Sequence, residues 1–392
     1  MNILIDIPTL SKEYGGVYQY SVALIKILAK ANLPHHFHIL CNKPDQDIKE
    51  IVERNSNFNF TKTQPPIYSG FKLYRFRIYN LLFRILGLKK RLKIKDLYDC
   101  IISEYSIDII HTPIQSLIKK PNVKSITTLH DVQELHFPEF FTSSQRASRA
   151  VNFKRAIDGS DAVIVSYDHV KKDIVKYFEK PIGQVYAVLL DMQYLWFKKI
   201  TTRNSKVLEK FNLPSGFLLY PASSWEHKNH LRLIEAVKLL NNPEIHLICT
   251  GHPTEFYTNN INPFIKKNGL TDKIKFVGIV SDEELFELYH KCRAVVVPTL
   301  YEAGSFPLME SILMGIPVVC SNVTSLPETI GDGRFVFDPN IIDDIADKVN
   351  RIWSDDIYRN ENMARLKLQA LKLENNNAAN NINAIYEEIY KK

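Results

Sequence analysis

Two carboxylates, Glu302 and Glu310, are separated by Ala303-Gly-Ser-Phe-Pro-Leu-Met309. Pro307 suits the first turn of a helix, where its missing N–H costs nothing. Gly315 suits the end of that helix, and Pro317 just beyond it cannot continue it. Glu302 is therefore expected in a loop and Glu310 on a short helix. The free N–H groups around residues 304–308 then make an anion site. A nucleotide-diphosphate sugar fits such a site, with each carboxylate left to accept from a hydroxyl. With one in the loop and the other on the helix, the two are poorly placed to act as a paired acid and base.

Other residues with chemical potential sit where strands should end. His130-Asp131 closes the run Ser125-Ile-Thr-Thr-Leu129, and His111 closes Asp108-Ile-Ile110. Polar groups at the carboxyl ends of parallel strands face the crevice of a doubly wound sheet, so His130, Asp131 and His111 are candidates for the cleft. Lys228 lies in Tyr220-Pro-Ala-Ser-Ser-Trp-Glu-His-Lys-Asn-His230, just ahead of an apolar helix pattern. A lysine there can neutralise a diphosphate leaving group. His227 and His230 lack a third ligand, so no metal is expected. Gly278-Ile-Val280 precedes Ser281-Asp-Glu-Glu, a capping-box helix start, and its backbone is suited to a nucleobase. Gly15-Gly16 opens the first helix and lets backbone approach a phosphate. Asp45-Gln-Asp47 reads as a solvated loop.

Short apolar runs alternate with longer helical patterns, as positioning such residues requires. Strands are expected at 3–7, 36–41, 107–111, 125–130 and 162–166, then at 217–221, 245–251, 274–277, 294–298, 317–320 and 334–337. Helices are expected at 17–31, 143–159, 231–240, 282–291 and 342–354. This alternation implies an α/β chain with parallel sheets covered on both faces. A chain of 392 residues exceeds a typical single core, so two domains are expected. The polar run after Trp196-Phe197 marks the break. The expected division is 1–198, 199–375 and a closing helix at 376–392.

The net charge of +7 is localised, because residues 72–95 hold nine Lys/Arg and no Asp/Glu. A uniform basic surface would suit nucleic acid, which this distribution excludes as a partner. One basic, aromatic-rich segment suits an anionic membrane face or lipid carrier, or else packs in the core with its basic ends snorkelling. The five cysteines are odd in number and form no C-x-x-C pair, so they are expected to be reduced core residues. Met1-Asn-Ile-Leu-Ile-Asp6 has no basic n-region, and no run is long enough to span a bilayer. A cytoplasmic protein, peripheral at the inner membrane face, is expected.

Together, Gly15-Gly16, His130-Asp131, Lys228, the Gly278 loop and Glu302-x7-Glu310 with its Met-Gly-Ile-Pro tail resemble the family-4 retaining glycosyltransferases of GT-B fold. The Tyr-Pro-Ala…His-Lys-Asn-His string is similar to that of bacterial surface-polysaccharide transferases, including mannosyltransferases. The resemblance implies two Rossmann-like domains facing across a cleft, with the donor on the second. It implies that Glu310 holds the ribose, that Gly304, Ser305, Phe306 and Lys228 hold the diphosphate, and that Gly278 and Val280 meet the base. Glu302 and His130 would flank the donor sugar, and Gly15-Gly16 would close over the phosphates. His111 and Asp131 would lie on the acceptor side. The reaction implied is hexosyl transfer with retention from a nucleotide-diphosphate sugar, GDP-mannose or a UDP-sugar, to a glycan or lipid-linked oligosaccharide. No cofactor and no metal are implied. Two departures stand out. The arginine that often precedes the lysine is replaced by Ala222-Ser-Ser-Trp, and the usual Gly-Phe-Gly becomes Ala303-Gly-Ser-Phe. A nucleotide-sugar epimerase, or a non-catalytic nucleotide-sugar-binding protein on the same fold, are the alternatives. The first needs its own acid–base pair and the second would be favoured by loss of Lys228 or a glutamate. A dinucleotide oxidoreductase would need G-x-G-x-x-G after the first strand, which is absent.

Overall fold

The computed structural model describes residues 1–10, 16–65, 70–87, 95–191, 196–200 and 206–392. Gly15 lies outside these residues. Seven parallel strands build the first sheet: β1 (Asn2–Asp6), β2 (His36–Leu40), β3 (Phe58–Phe60), β4 (Ile109–Thr112), β5 (Lys124–Thr128), β6 (Ala162–Val165) and β7 (Val185–Ala187), in the order β3-β2-β1-β4-β5-β6-β7. Six build the second: β8 (Leu218–Pro221), β9 (Leu247–Thr250), β10 (Ile274–Phe276), β11 (Ala294–Val297), β12 (Val318–Ser321) and β13 (Val336–Phe337), in the order β10-β9-β8-β11-β12-β13. Both are doubly wound, because the strand order reverses beside the first strand of each. The expected α/β, GT-B-type architecture is therefore present.

The strands are near-continuous apolar runs because helices cover both faces. Ala294-Val-Val-Val297 is buried throughout. The last helix, Ala378–Lys391, is not part of the second core. Its Ile382, Ile385, Tyr386 and Ile389 pack with Ile3, Ile5, Leu24 and Leu28 of the first. Asn377 turns the chain into that helix with a left-handed backbone, φ +54°. The Asn376 N–H donates to Asp191 Oδ1 at 2.7 Å, tying together two segments that run between the sheets.

His111 belongs to this architecture and not to the cleft. It is fully buried, with Nδ1 at 2.8 Å from the Tyr386 hydroxyl and Nε2 at 2.9 Å from Thr128 Oγ1. Burial drives its pKa down to about 3. The expected acceptor-side role is corrected. β4 runs on to Thr112, so His111 points into the face that the last helix covers.

Asp6, at the carboxyl end of β1, is buried and accepts from the Tyr98 hydroxyl at 3.0 Å and Thr112 Oγ1 at 3.3 Å. Desolvation outweighs those hydrogen bonds and raises its pKa from 3.8 to about 6. A carboxyl raised on folding costs nothing below its unfolded pKa. Its cost grows as pH rises towards the folded value and is constant above it. Asp6→Asn is therefore expected to stabilise the protein above pH 6, by up to about 3 kcal/mol, with the gain shrinking towards pH 4. Urea unfolding at pH 4.5 and 7.5 measures this, and an equal effect at both would contradict it.

The helix Gly70–Ile85 carries much of the basic segment. Its described apolar side chains are not buried. Tyr74 is 62% exposed, Leu81 56%, Ile85 71% and Leu86 67%. The described apolar side chains of 72–95 are therefore not packed in a core with snorkelling ends; the side chains of residues 72, 73, 76 and 77, and residues 88–94, lie outside what the structure describes. No described helix is long and apolar enough to cross a membrane.

Candidate active site

The second sheet reverses between β8 and β11. The loops that follow these two strands diverge and leave a crevice, the usual ligand position in such sheets. The loop after β8 carries Lys228 and the loop after β11 carries Glu302. The two meet, with Lys228 Nζ ion-paired to Glu302 Oε1. Glu302 is only 6% exposed, and its Oε2 has no partner. A half-satisfied buried carboxylate calls for a ligand donor, since the unmet oxygen otherwise bears its full desolvation cost.

Local chemistry fixes both side chains. A 3-10 turn, Glu226–Lys228, leads into Asn229, whose backbone is left-handed at φ +60°. The buried Asn229 amide donates to the carbonyls of Pro298 and Pro339, each at 2.9 Å. The Tyr220 hydroxyl donates to the Lys228 carbonyl at 3.0 Å, and the Leu300 N–H to that of His227 at 2.8 Å. The His-Lys-Asn string thus clamps the lysine loop onto the end of β11. On the other side, Thr324 Oγ1 donates to the Glu302 carbonyl at 2.6 Å.

The helix Phe306–Met314 starts directly after Glu302, with Pro307 in its first turn, and Gly315 at φ +68° ends it, as expected. A cavity of about 740 Å³ joins these elements to the first domain. Lys228, Glu302, Gly304, Phe306, His130, Asp131 and Gly16 all line it. Gly16 and Gly304 mark where the domains touch. A Cβ on Gly16 would stand 3.6 Å from the Phe306 ring, and one on Gly304 only 2.7 Å from the Tyr167 ring. Tyr167 also donates its hydroxyl to Met309 Sδ at 3.5 Å.

His130 donates from Nε2 to the Pro113 carbonyl at 3.0 Å, which leaves Nδ1 as an acceptor. Its ring stands edge-on to Tyr20 at 4.7 Å. Burial holds its pKa below the usual histidine value, so the ring is neutral at pH 7. Asp131 is ion-paired to Arg149, whose Nε also donates to Glu134 at 2.8 Å. That guanidinium lies over Phe153 at 4.7 Å and Phe141 at 5.2 Å. His227 lines the cavity as a neutral ring, with its pKa driven to about 3 by burial. His230 packs beneath Tyr220 and Phe276.

Four expected donor contacts lie outside the cavity lining. Glu310 is buried and accepts from the Tyr289 hydroxyl at 2.6 Å, so its carboxylate is engaged behind the wall. Ser305 is buried, with Oγ unpartnered. Gly278 and Val280 also stand back, whereas Asp282 and Glu283, beyond Ser281, are among the residues that line the cavity. Asp45 and Asp47 are not a solvated loop. Asp45 caps the helix Gln46–Arg54, and Asp47 pairs with Lys26 at 3.0 Å on the cavity wall. Among the described residues no three His, Cys, Asp or Glu side chains are grouped to hold a metal.

Sequence reasoning missed Tyr167, Ser166, Gln115, Tyr301 and Gly251. Ser166 and Tyr167 follow β6, so the strand-end rule that found His130 would have found them. Gly251, at φ +115°, lies against the backbone of 222–223 and supports the lysine loop from below. No single-sequence signal separates that glycine from an ordinary turn.

Residues 203–372 match the family model described as glycosyl transferases group 1. The O-antigen chain mannosyltransferase B of Escherichia coli is 25% identical over 383 residues, covering 94% of this chain and 95% of that protein. Among solved structures, sucrose-phosphate synthase from Thermosynechococcus elongatus superposes with a TM-score of 0.71 at 18% identity, covering 100% of this chain and 99% of that one. HepE from Anabaena, in complex with UDP and glucose, superposes with a TM-score of 0.65 at 17% identity, covering 99% of each chain. The group 1 match spans the second sheet, whose crevice is lined by Lys228 and Glu302, so residues 203–372 resemble a group 1 glycosyl transferase domain and the chain has the GT-B fold.

Proposed function

We propose that the protein transfers a hexose, with retention, from a nucleotide-diphosphate sugar to a glycan or lipid-linked oligosaccharide in surface-polysaccharide synthesis. The observation that carries this reading is the Lys228–Glu302 pair at the switch point, with one carboxylate oxygen unmet. The diphosphate takes Lys228 and the first N–H groups of the helix Phe306–Met314. Glu302 accepts from hydroxyls of the donor sugar. His130 and Gly16 approach from the first domain. The name of the E. coli relative supports mannose, and the HepE complex supports a nucleotide-sugar donor. Residues 1–198 bind the acceptor, 199–375 bind the donor, and 376–392 tie the second domain to the first.

In this scheme the bond between the sugar C1 and the phosphate oxygen breaks, and its electron pair leaves with the nucleoside diphosphate. The acceptor oxygen bonds to C1 from the same face, and its proton passes to the departing phosphate oxygen. No nucleophile on the protein and no metal is required. Lys228 and the helix N-terminus stabilise the leaving charge. The anomeric configuration of the transferred sugar, read by proton NMR, tests this scheme. The donor's configuration is expected in the product, and the opposite one would refute retention.

The acceptor's lipid, in this reading, brings the protein to the cytoplasmic membrane face. The exposed apolar residues of Gly70–Ile85, interspersed with Arg75 and Arg84, suit an anionic headgroup layer. The protein is expected to float with vesicles containing anionic lipid and to stay behind with neutral ones. Indifference to lipid charge would count against it.

A further inference from the structure

Lys228 and Glu302 belong to the second domain, yet the residues beside them are seated in the first. Tyr301, next to Glu302, is 3% exposed, and three first-domain rings pack on it: His136 at 5.3 Å, Phe137 at 6.1 Å and His169 at 6.3 Å between centroids. Ala303, on the other side of Glu302, packs against the first-domain core cluster that includes Leu129, Val132 and Phe153. His227, next to Lys228, meets the ring of Phe140 at 6.0 Å. Among the described residues, every aromatic ring packed on Tyr301 or His227 comes from the first domain.

One short segment, His136-Phe-Pro-Glu-Phe140, supplies most of these contacts. Pro138 ends the helix Gln133–His136 and opens the 3-10 turn Pro138–Phe140. Pieces of four and three residues are too short to hold their own shape, so first-domain bonds hold them instead. His136 Nε2 donates to Asp173 Oδ2 at 2.7 Å, on the helix that carries His169. Arg146 donates to the carbonyls of Pro138 at 2.7 Å and Phe141 at 3.0 Å. Phe137 stacks on Phe140 with the ring planes 7° apart. A segment fixed in this way by its own domain touches both loops that carry a charge. It therefore constrains where the two charged side chains stand relative to each other.

We propose that the segment 136–140 is a positioning element of the first domain, and that through Tyr301 and His227 it holds Glu302 and Lys228 in their paired arrangement. Its effect on rate rests on the glycosyl-transfer reading above; its effect on the pair does not. The double variant Phe137→Ala, Phe140→Ala tests it, because every residue of the second domain stays in place. Circular dichroism melting shows that the variant is folded; should it not fold, Phe140→Ala alone serves, with a smaller effect of the same sign. Acylation of the full chain by an amine-reactive reagent, read at Lys228 by peptide mass spectrometry, reports the ion pair without any turnover. An ammonium engaged by a buried carboxylate is shielded, so Lys228 is expected to react severalfold faster in the alanine variant, relative to the other lysines. The variant Phe137→Tyr, Phe140→Tyr keeps both rings and is expected to recover the slow reaction. With a donor that the unaltered protein turns over, kcat of the alanine variant is expected to fall at least about tenfold, within the hundredfold that a displacement of about 1 Å can cost. Affinity for UDP and GDP, measured by calorimetry, is expected to change little, since no second-domain residue is altered. Unchanged Lys228 reactivity in the folded alanine variant would overturn the proposal, and so would an equal gain in the tyrosine variant. Faster reaction with an unaltered kcat would overturn the link from the pair to the rate. The predicted reactivity in a protein that turns over no nucleotide sugar would bear out the positioning element and overturn the glycosyl-transfer reading alone.

Discussion

Replacing Lys228 or Glu302 by alanine is expected to lower turnover at least about a hundredfold, the scale of losing a preorganised charge contact to the transition state. Lys228 is the cation at the switch point, and the loop before it, Ala222-Ser-Ser-Trp225, supplies no arginine to share a diphosphate's charge. Glu302 is bound on one oxygen only. When the diphosphate draws Lys228 away, both its oxygens become available to sugar hydroxyls. The two variants should differ in stability. Lys228→Ala strands a carboxylate that is 6% exposed, whereas Glu302→Ala leaves a lysine whose side chain is 20% exposed at the cavity. Removing the partner of the more buried charge costs more. Steady-state kinetics and thermal melts of both variants check this. Unaltered rates would sink the site assignment, and equal melting temperatures would sink the account of the pair.

The second large effect belongs to Gly251, which touches no ligand in this scheme. Its backbone sits at φ +115°. A Cβ there would lie 2.6 Å from the Ser223 nitrogen and 2.7 Å from the Ala222 carbonyl carbon, both main-chain atoms. Neither can rotate aside. Gly251→Ala is expected to cost about 3 kcal/mol of stability from strain and overlap. It should also push loop 222–228 outward and so move Lys228. A displacement of about 1 Å in a positioning element can cost a hundredfold in rate. Gly278 provides the contrast. It too has a left-handed backbone, φ +74°, but nothing within 4 Å of its Cβ position. Gly278→Ala should show the strain alone, about 1 kcal/mol. If both variants melt alike, the overlap at Gly251 is not what supports the lysine loop.

Much of this site was legible because its signals are local. Pro307 and Gly315 bracket the helix whatever surrounds it, and the apolar runs of the central strands are long enough to read alone. β3 and β7 escaped notice because Phe58-Asn-Phe60 and Val185-Tyr-Ala187 are three-residue edge strands, too short for a period. Glu310 and His111 show where local reading stops. Each has the right residue type at the right place along its element, yet a distant hydroxyl, from Tyr289 or Tyr386, takes it out of the cavity. The cavity contacts of Tyr167 and Asp282 also depend on how two sheets face each other, which no spacing within one strand encodes. The cysteines, expected as core residues, divide: Cys249 and Cys320 are buried, whereas Cys41, Cys100 and Cys292 are only half-buried, because composition does not say which apolar runs reach a core.

The central claim is that the chamber around Lys228 and Glu302 carries glycosyl transfer from a nucleotide sugar. Its most direct test is to incubate the purified protein with a panel of labelled nucleotide sugars and follow release of the nucleoside diphosphate. The account predicts release from at least one donor by the unaltered protein and its loss in Glu302→Ala. A protein that binds, hydrolyses and transfers none of them would contradict it.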